Sequence, residues 1–178
     1  MSLPDGMKRS AEISVCGRYR YTLRREWAVE RAPGQITYVM LNPSTADGND
    51  DDPTVRKCIG FARRFNDVNA IEIVNLFAWR ATDPRDLGRA PAVEIIGPKN
   101  DDAIIEAVHR ARGTVVVAWG AHAIAQFRHR DAMVLGLIKA CGKRPVCLGR
   151  AKGGAPRHPL MVAYATSFED YEQEVPHA

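Results

Sequence analysis

Gln35-Ile36-Thr37-Tyr38-Val39-Met40-Leu41-Asn42-Pro43-Ser44 joins a short run of apolar, β-prone residues to an abrupt polar tip. A run this short with no polar face fits a strand buried on both sides, as in a parallel sheet covered by helices. Pro43 holds the residue before it in extended backbone, so the strand ends at Asn42. Two further runs have the same character, Ile71-Glu72-Ile73-Val74 and Thr114-Val115-Val116-Val117-Ala118-Trp119, and Pro145-Val146-Cys147-Leu148 is a weaker fourth. Helical patterns separate them. Residues 53–65 place Val55, Ile59, Ala62 and Phe65 at helical spacing behind Pro53; residues 100–111 open on Asn100, Asp101 and Asp102, suited to a cap and an acidic first turn; residues 121–139 read as helix interrupted near His129-Arg130-Asp131. Upstream, residues 15–30 alternate β-formers with arginine, the pattern of an antiparallel ribbon whose charges guard an edge. The expected class is α/β: a three-layer α/β/α arrangement with a mainly parallel central sheet and an N-terminal antiparallel ribbon.

The 178 residues suit one domain spanning 1–178, with a loosely ordered tail over residues 1–12 and a core over roughly 13–170. A 46% hydrophobic and 26% charged composition is that of a globular protein, which excludes disordered and fibrous classes. The formal charge of +4 permits a polyanionic partner without demanding one. No stretch approaches the ~18 apolar residues of a membrane helix, and the N-terminus lacks the charged-then-apolar order of a signal peptide; a cytoplasmic protein with no membrane partner is expected. Cys16, Cys58, Cys141 and Cys147 show no C-x-x-C spacing, so reduced thiols and no metal or other cofactor are expected. Nothing signals an obligate protein partner.

In a parallel sheet, ligands bind outside the carboxyl ends of the strands, so the residues there carry the functional reading. Asn42 and Ser44 follow the first run; they either form a plain turn or present an amide and a hydroxyl to a ligand. Asp47, Asp50, Asp51 and Asp52 then form an acidic loop, which suits a hydrated loop with Asp52 as helix cap better than a divalent cation site. Asn75 interrupts the second run, and a buried amide there must find partners or cost a few kcal/mol. Phe77 and Arg80 follow it; the first is core or a stacking platform, the second is within reach of a phosphate. Gly120 permits a tight strand-to-helix turn before His122. The last segment, 149–160, combines Arg150, Lys152 and Arg157 with glycines and reads as a basic loop; His158, set between Arg157 and Pro159, suits a neutral imidazole that donates to a developing anion.

Together, NPSTAD, DDPTVRKC, VNLFAWRATDP, VVAWG and PRHP resemble a bacterial domain family of unassigned activity. Their order, over roughly residues 36–165, more distantly resembles the uracil-DNA glycosylase superfamily. Met40-Leu41-Asn42-Pro43-Ser44 is similar to the superfamily's water-positioning motif, which implies Asn42 as the residue holding the water. Asn75 matches the asparagine that reads the base, VVAWGAHA matches a strand ending in x-x-G-x-x-A, and His158-Pro159 resembles the motif whose histidine supports the leaving base. The chain departs from the pattern at the missing leading glycine, at Ser44 in place of glycine, at Leu160 after His158-Pro159, and in lacking the iron–sulfur cysteine spacing. The resemblance implies a uracil-DNA-glycosylase-like protein that hydrolyses or recognises a modified or mismatched base, its partner a nucleic acid or nucleotide. Asn42 and His158 would be catalytic. Asn75, Phe77, Ser44, Arg80 and Gly120 would bind substrate, and Arg150, Lys152 and Arg157 phosphates. Two alternatives stay open: a Mg²⁺-dependent nucleotide or phosphoester hydrolase using the Asp47–Asp52 loop, and a non-catalytic nucleic-acid- or nucleotide-binding module using the basic loop.

Overall fold

The strand beginning at Gly34 holds the centre of the fold in a computed structural model that describes residues 6–27, 34–44, 50–81, 83–89 and 91–172. This strand, β3 (Gly34–Met40), pairs in parallel with β4 (Val68–Asn75) on one side and β5 (Val115–Val117) on the other. Outside them lie β1 (Lys8–Ile13), β2 (Arg20–Glu26), β6 (Pro145–Cys147) and β7 (Glu169–Asp170), giving one seven-stranded sheet of order β1-β2-β4-β3-β5-β6-β7. The four inner strands β4, β3, β5 and β6 are parallel, and the antiparallel β1, β2 and β7 complete the two edges. The protein is a mixed α/β fold. Among the described residues, no helix is long and apolar enough to cross a membrane.

Successive side chains of a strand point to opposite faces, and the two large apolar clusters follow that alternation. Val39, Val74, Val115 and Val117 pack with α3 (Asn100–Arg110) and α4 (Arg130–Ala140) through Ile104, Val108, Val134 and Ile138. Tyr38, Ile71, Ile73 and Val116 pack with α1 (Pro53–Ala62) through Val55, Cys58, Ile59 and Ala62. The helix following β3 and the helix preceding β5 therefore lie against different faces. A short helix α2 (Ala92–Ile96) and two 3-10 segments, Pro84–Arg89 and Ala123–His129, lie in the connections; the last passes into α4 through His129, whose φ of 58° is left-handed. The interrupted pattern of residues 121–139 is this break.

Three local expectations change. The stretch assigned to a tail becomes strand β1 from Lys8, because its alternating side chains complete the edge beside β2; residues 1–5 lie outside those described. The ribbon lies earlier in the chain, and its arginines are partly inside the protein. Arg25 is fully buried: its Nε donates to Asp51 Oδ1 at 2.6 Å and its Nη1 to the Arg24 carbonyl at 2.9 Å, while the Asp51 side chain is 3% exposed. This pair ties the segment leading into α1 to the sheet. Asn100, expected to cap α3, is also buried; its Nδ2 donates to the carbonyls of Asn75 and Leu76, both at 3.0 Å, and Arg130 Nε donates to Leu76 O at 2.8 Å. At the end of β4 and just past it those carbonyls are buried, and buried carbonyls must be paired.

A β-bulge in the ribbon has consequences further along. Glu12 stands opposite Thr22 but Ile13 stands opposite Arg20, so Tyr21 is the extra residue. Leu23 packs in the cluster with α1, whereas Tyr21 packs with Ala78 and Ala103 on the other side. The bulge reverses the alternation and returns Arg20 to the face of α1.

Without Arg25 the buried Asp51 carboxylate keeps only partly exposed Arg9, whose Nη2 lies 3.5 Å from Oδ2, so Arg25→Met should lower unfolding free energy by about 3 kcal/mol in denaturant titration. The double variant Arg25→Met/Asp51→Leu should recover most of that loss; equal loss in both would show that packing, not the poorly compensated carboxylate, is responsible.

Candidate functional site

At the carboxyl ends of β3, β4 and β5 lies a cleft of about 350 Å³. Asn42 and Ser44 from the tip of β3, Asn75 from the end of β4, and Trp119, Gly120 and His122 from beyond β5 reach it; Asp52 and Val55 come from the start of α1, and His158 from the loop after β6. The two carboxamides and the imidazole singled out from sequence thus share one cavity.

Each is held differently. The Asn42 side chain donates from Nδ2 to the carbonyls of Ala81 at 2.8 Å and Pro43 at 3.1 Å. Both N–H groups are thereby spent, which orients the amide and leaves Oδ1 as an acceptor. Asn75 is the reverse case. It is 1% exposed, and its buried Nδ2 finds no acceptor among the described residues, although Asn100 fixes the backbone around it. An unpaired buried donor costs about 1–3 kcal/mol. A donor kept at that cost and lining a cleft is suited to a ligand's acceptor.

His158 sits at the N-cap of the single turn Pro159–Met161, where its Nδ1 accepts the Leu160 N–H at 3.3 Å. Accepting at Nδ1 puts the proton of the neutral ring on Nε2. Burial pushes the imidazole below its ordinary value of 6.5, with the charge of Asp52 opposing. His122 repeats the device, its Nδ1 accepting the Ile124 N–H at 3.3 Å at the head of the 3-10 segment. Gly120 brings the two loops together: its N–H donates to Pro156 O at 3.0 Å, and its φ of 78° is a left-handed conformation that glycine adopts freely. A Cβ there would lie 3.5 Å from that of His158.

Asp52 caps α1 as the sequence suggested, with Oδ1 accepting the Val55 N–H at 2.8 Å; its Oδ2 also accepts from the Ser44 hydroxyl at 2.9 Å. Across the cleft, Arg20 is 4% exposed, and burial beside Arg80 and Arg25 lowers its guanidinium to about 10 despite Asp52. Sequence reasoning missed Arg20 because strict alternation along β2 sends it to the other face; only the bulge turns it inward. It missed Trp119 by favouring Phe77.

Other expected site residues lie elsewhere. Phe77 is fully buried in the core cluster with Val74, Leu76 and Ile104, so its ring is closed to a ligand. Arg80 does not line the cleft; its Nη1 donates to Gly17 O at 3.1 Å and braces the ribbon turn. Arg150, Lys152 and Arg157 do not line it either. Arg150 donates to the carbonyls of Glu172 and Asp170 at 2.8 and 3.2 Å and lies over the Tyr171 ring, which meets Trp119 edge-on at 6.0 Å. It props the cleft's aromatic wall from behind. Arg157 is exposed, with Nε donating to Arg150 O at 3.0 Å, and Lys152 is exposed on the same loop. In the acidic loop, Asp51 is committed to Arg25 and Asp52 to the helix cap, and Asp47 lies outside the described residues.

Because Asn75 Nδ2 has no partner among the described residues, Asn75→Leu should leave the thermal midpoint unchanged or raised; a clear drop would mean that the amide is structural. His158 should titrate below 6.5 by NMR. The sign follows: a histidine held neutral in the fold contributes stability that is complete above pH 6.5 and is lost as pH falls from there through the lower folded value. Replacing Asp52 with Asn should move that titration lower still.

A family of proteins of unknown function (DUF1643) matches residues 20–160, a span running from Arg20 to just beyond His158 and so enclosing every cleft residue named above. No curated protein and no solved structure matches the chain. With most of its length matched, the chain belongs to the DUF1643 family.

Proposed function

We propose that the cleft receives a nucleobase and that the protein hydrolyses the N-glycosidic bond of a modified or mismatched base in nucleic acid, in the manner of a uracil-DNA glycosylase. The observation that carries this reading is the meeting of Asn42, Asn75 and His158 in one cavity at the strand ends. Asn75 would donate from its unpaired Nδ2 to a carbonyl on the base edge. Trp119 would supply the apolar wall beside the base, the part first given to Phe77. Asn42 would hold the water through Oδ1, and His158 would donate from Nε2 to the negative charge that develops as the base leaves. Extruding the base costs a few kcal/mol of unstacking, which exposed Lys152 and Arg157, on the loop that carries His158, would help to offset through phosphates. In the same reading, the helices on the two sheet faces make a three-layer α/β/α arrangement, and the free thiols suit a cytoplasmic setting.

The test is incubation with oligonucleotides carrying uracil, hypoxanthine or mismatches, scored for released base and abasic sites. Release by the wild-type protein, reduced by about 100-fold or more in His158→Ala, is expected. No release from any substrate at high protein concentration would overturn the reading.

A further inference from the structure

We propose that Asp52 is the general base of the cleft, taking a proton from the water that Asn42 holds, an assignment that rests on the base-releasing reading above. The inference comes from what each side chain around the cavity has left to offer. An amide does not take up a proton near neutral pH, so Asn42 orients a water without activating it. His158 and His122 both spend Nδ1 on a backbone N–H, of Leu160 and Ile124, which leaves each ring an Nε2–H donor and no basic nitrogen facing a ligand. Arg20 is a cation and Asn75 an amide. Among the described residues lining the cavity, Asp52 is the one carboxylate.

Its placement suits the part. Asp52 Oδ1 accepts from Val55 N at 2.8 Å and Oδ2 from Ser44 Oγ at 2.9 Å, so the group is held at both oxygens. A carboxylate oxygen has two lone pairs, and each therefore retains a second accepting position. Ser44 lies two residues after Asn42, so the strand tip that would hold the water also holds the carboxylate. Among the described residues, three other groups face Asp52 electrostatically: Arg20 from β2, His158 from the loop after β6, and Cys58 from within α1. In the step, the water oxygen bonds to the anomeric carbon of the sugar while one of its protons passes to Asp52. The carbon–nitrogen bond breaks, its electron pair departs with the base, and His158 Nε2–H hydrogen-bonds the resulting anion. The proton on Asp52 then passes to the departed base through solvent, restoring the carboxylate.

Asp52→Asn keeps a side-chain oxygen for the Val55 N–H, and Asn caps helices about as well as Asp, so the thermal midpoint should hold. Asp52→Ser, also a capping residue, serves as a second variant if Asn fails to fold. With the wild-type protein's best base-releasing substrate, kcat should fall about 100-fold or more in either variant while KM changes little. Wild-type kcat in a folded Asp52→Asn or Asp52→Ser protein would overturn this assignment and leave the base-releasing reading standing. A rise in KM with kcat unchanged would make Asp52 a binding residue and also overturn it. Failure of the wild-type protein to release any base would overturn both.

Discussion

The parallel pairing of β3 with neighbours on both sides is the constraint on which the rest depends. The chain leaves β3 for β4 through α1 on one face of the sheet and enters β5 from α3 on the other. Two connections that part to opposite faces cannot cover the strand ends between them, so a crevice remains at their carboxyl side. Every cleft residue reaches the cavity from a segment that borders this crevice, directly or through the loop after β6 and the bulged end of β2.

A crevice alone does not hold side chains in place, and the surrounding polar contacts do so. Asn100 and Arg130 converge on the carbonyls of Asn75 and Leu76 at the end of β4 and fix the backbone from which Asn75 projects. The Arg25–Asp51 pair anchors the segment that delivers Asp52 to the head of α1. Gly120 lets the loop beyond β5 bond to Pro156, two residues before His158. The stack of Arg150 over Tyr171 against Trp119 steadies the aromatic wall. A site is precise to the degree that the groups behind it are locked, and here each reaching side chain has such a support.

The chemistry of the cavity is divided by the same contacts. Backbone acceptors consume the donors of Asn42, and backbone donors consume Nδ1 of both histidines. What remains is an acceptor region at Asn42 and Asp52 and a donor region of His158, His122 and Asn75. Water on the acceptor side and a group gaining negative charge on the donor side would each find complementary partners.

Much of this was legible locally. The inner strands read correctly because burial on both faces leaves an unmixed apolar run, and Asn42 and Asn75 stood out as polar residues where such runs end. The break at His129 and the cap at Asp52 were equally visible. Arg20 was not, since a bulge set by pairing with β1 decides which face it takes, and no periodicity within β2 records that. Nor could spacing distinguish Phe77, which turns into the core, from Trp119, which lines the cavity, or show that Arg25 pairs with Asp51 and that Arg80 and Arg150 donate to backbone carbonyls away from the cleft. Element type and strand ends follow from near neighbours in the chain, through burial pattern and backbone chemistry. The partners that a side chain meets follow from register and packing across 20 to 100 residues, and those exist only once the sheet is assembled.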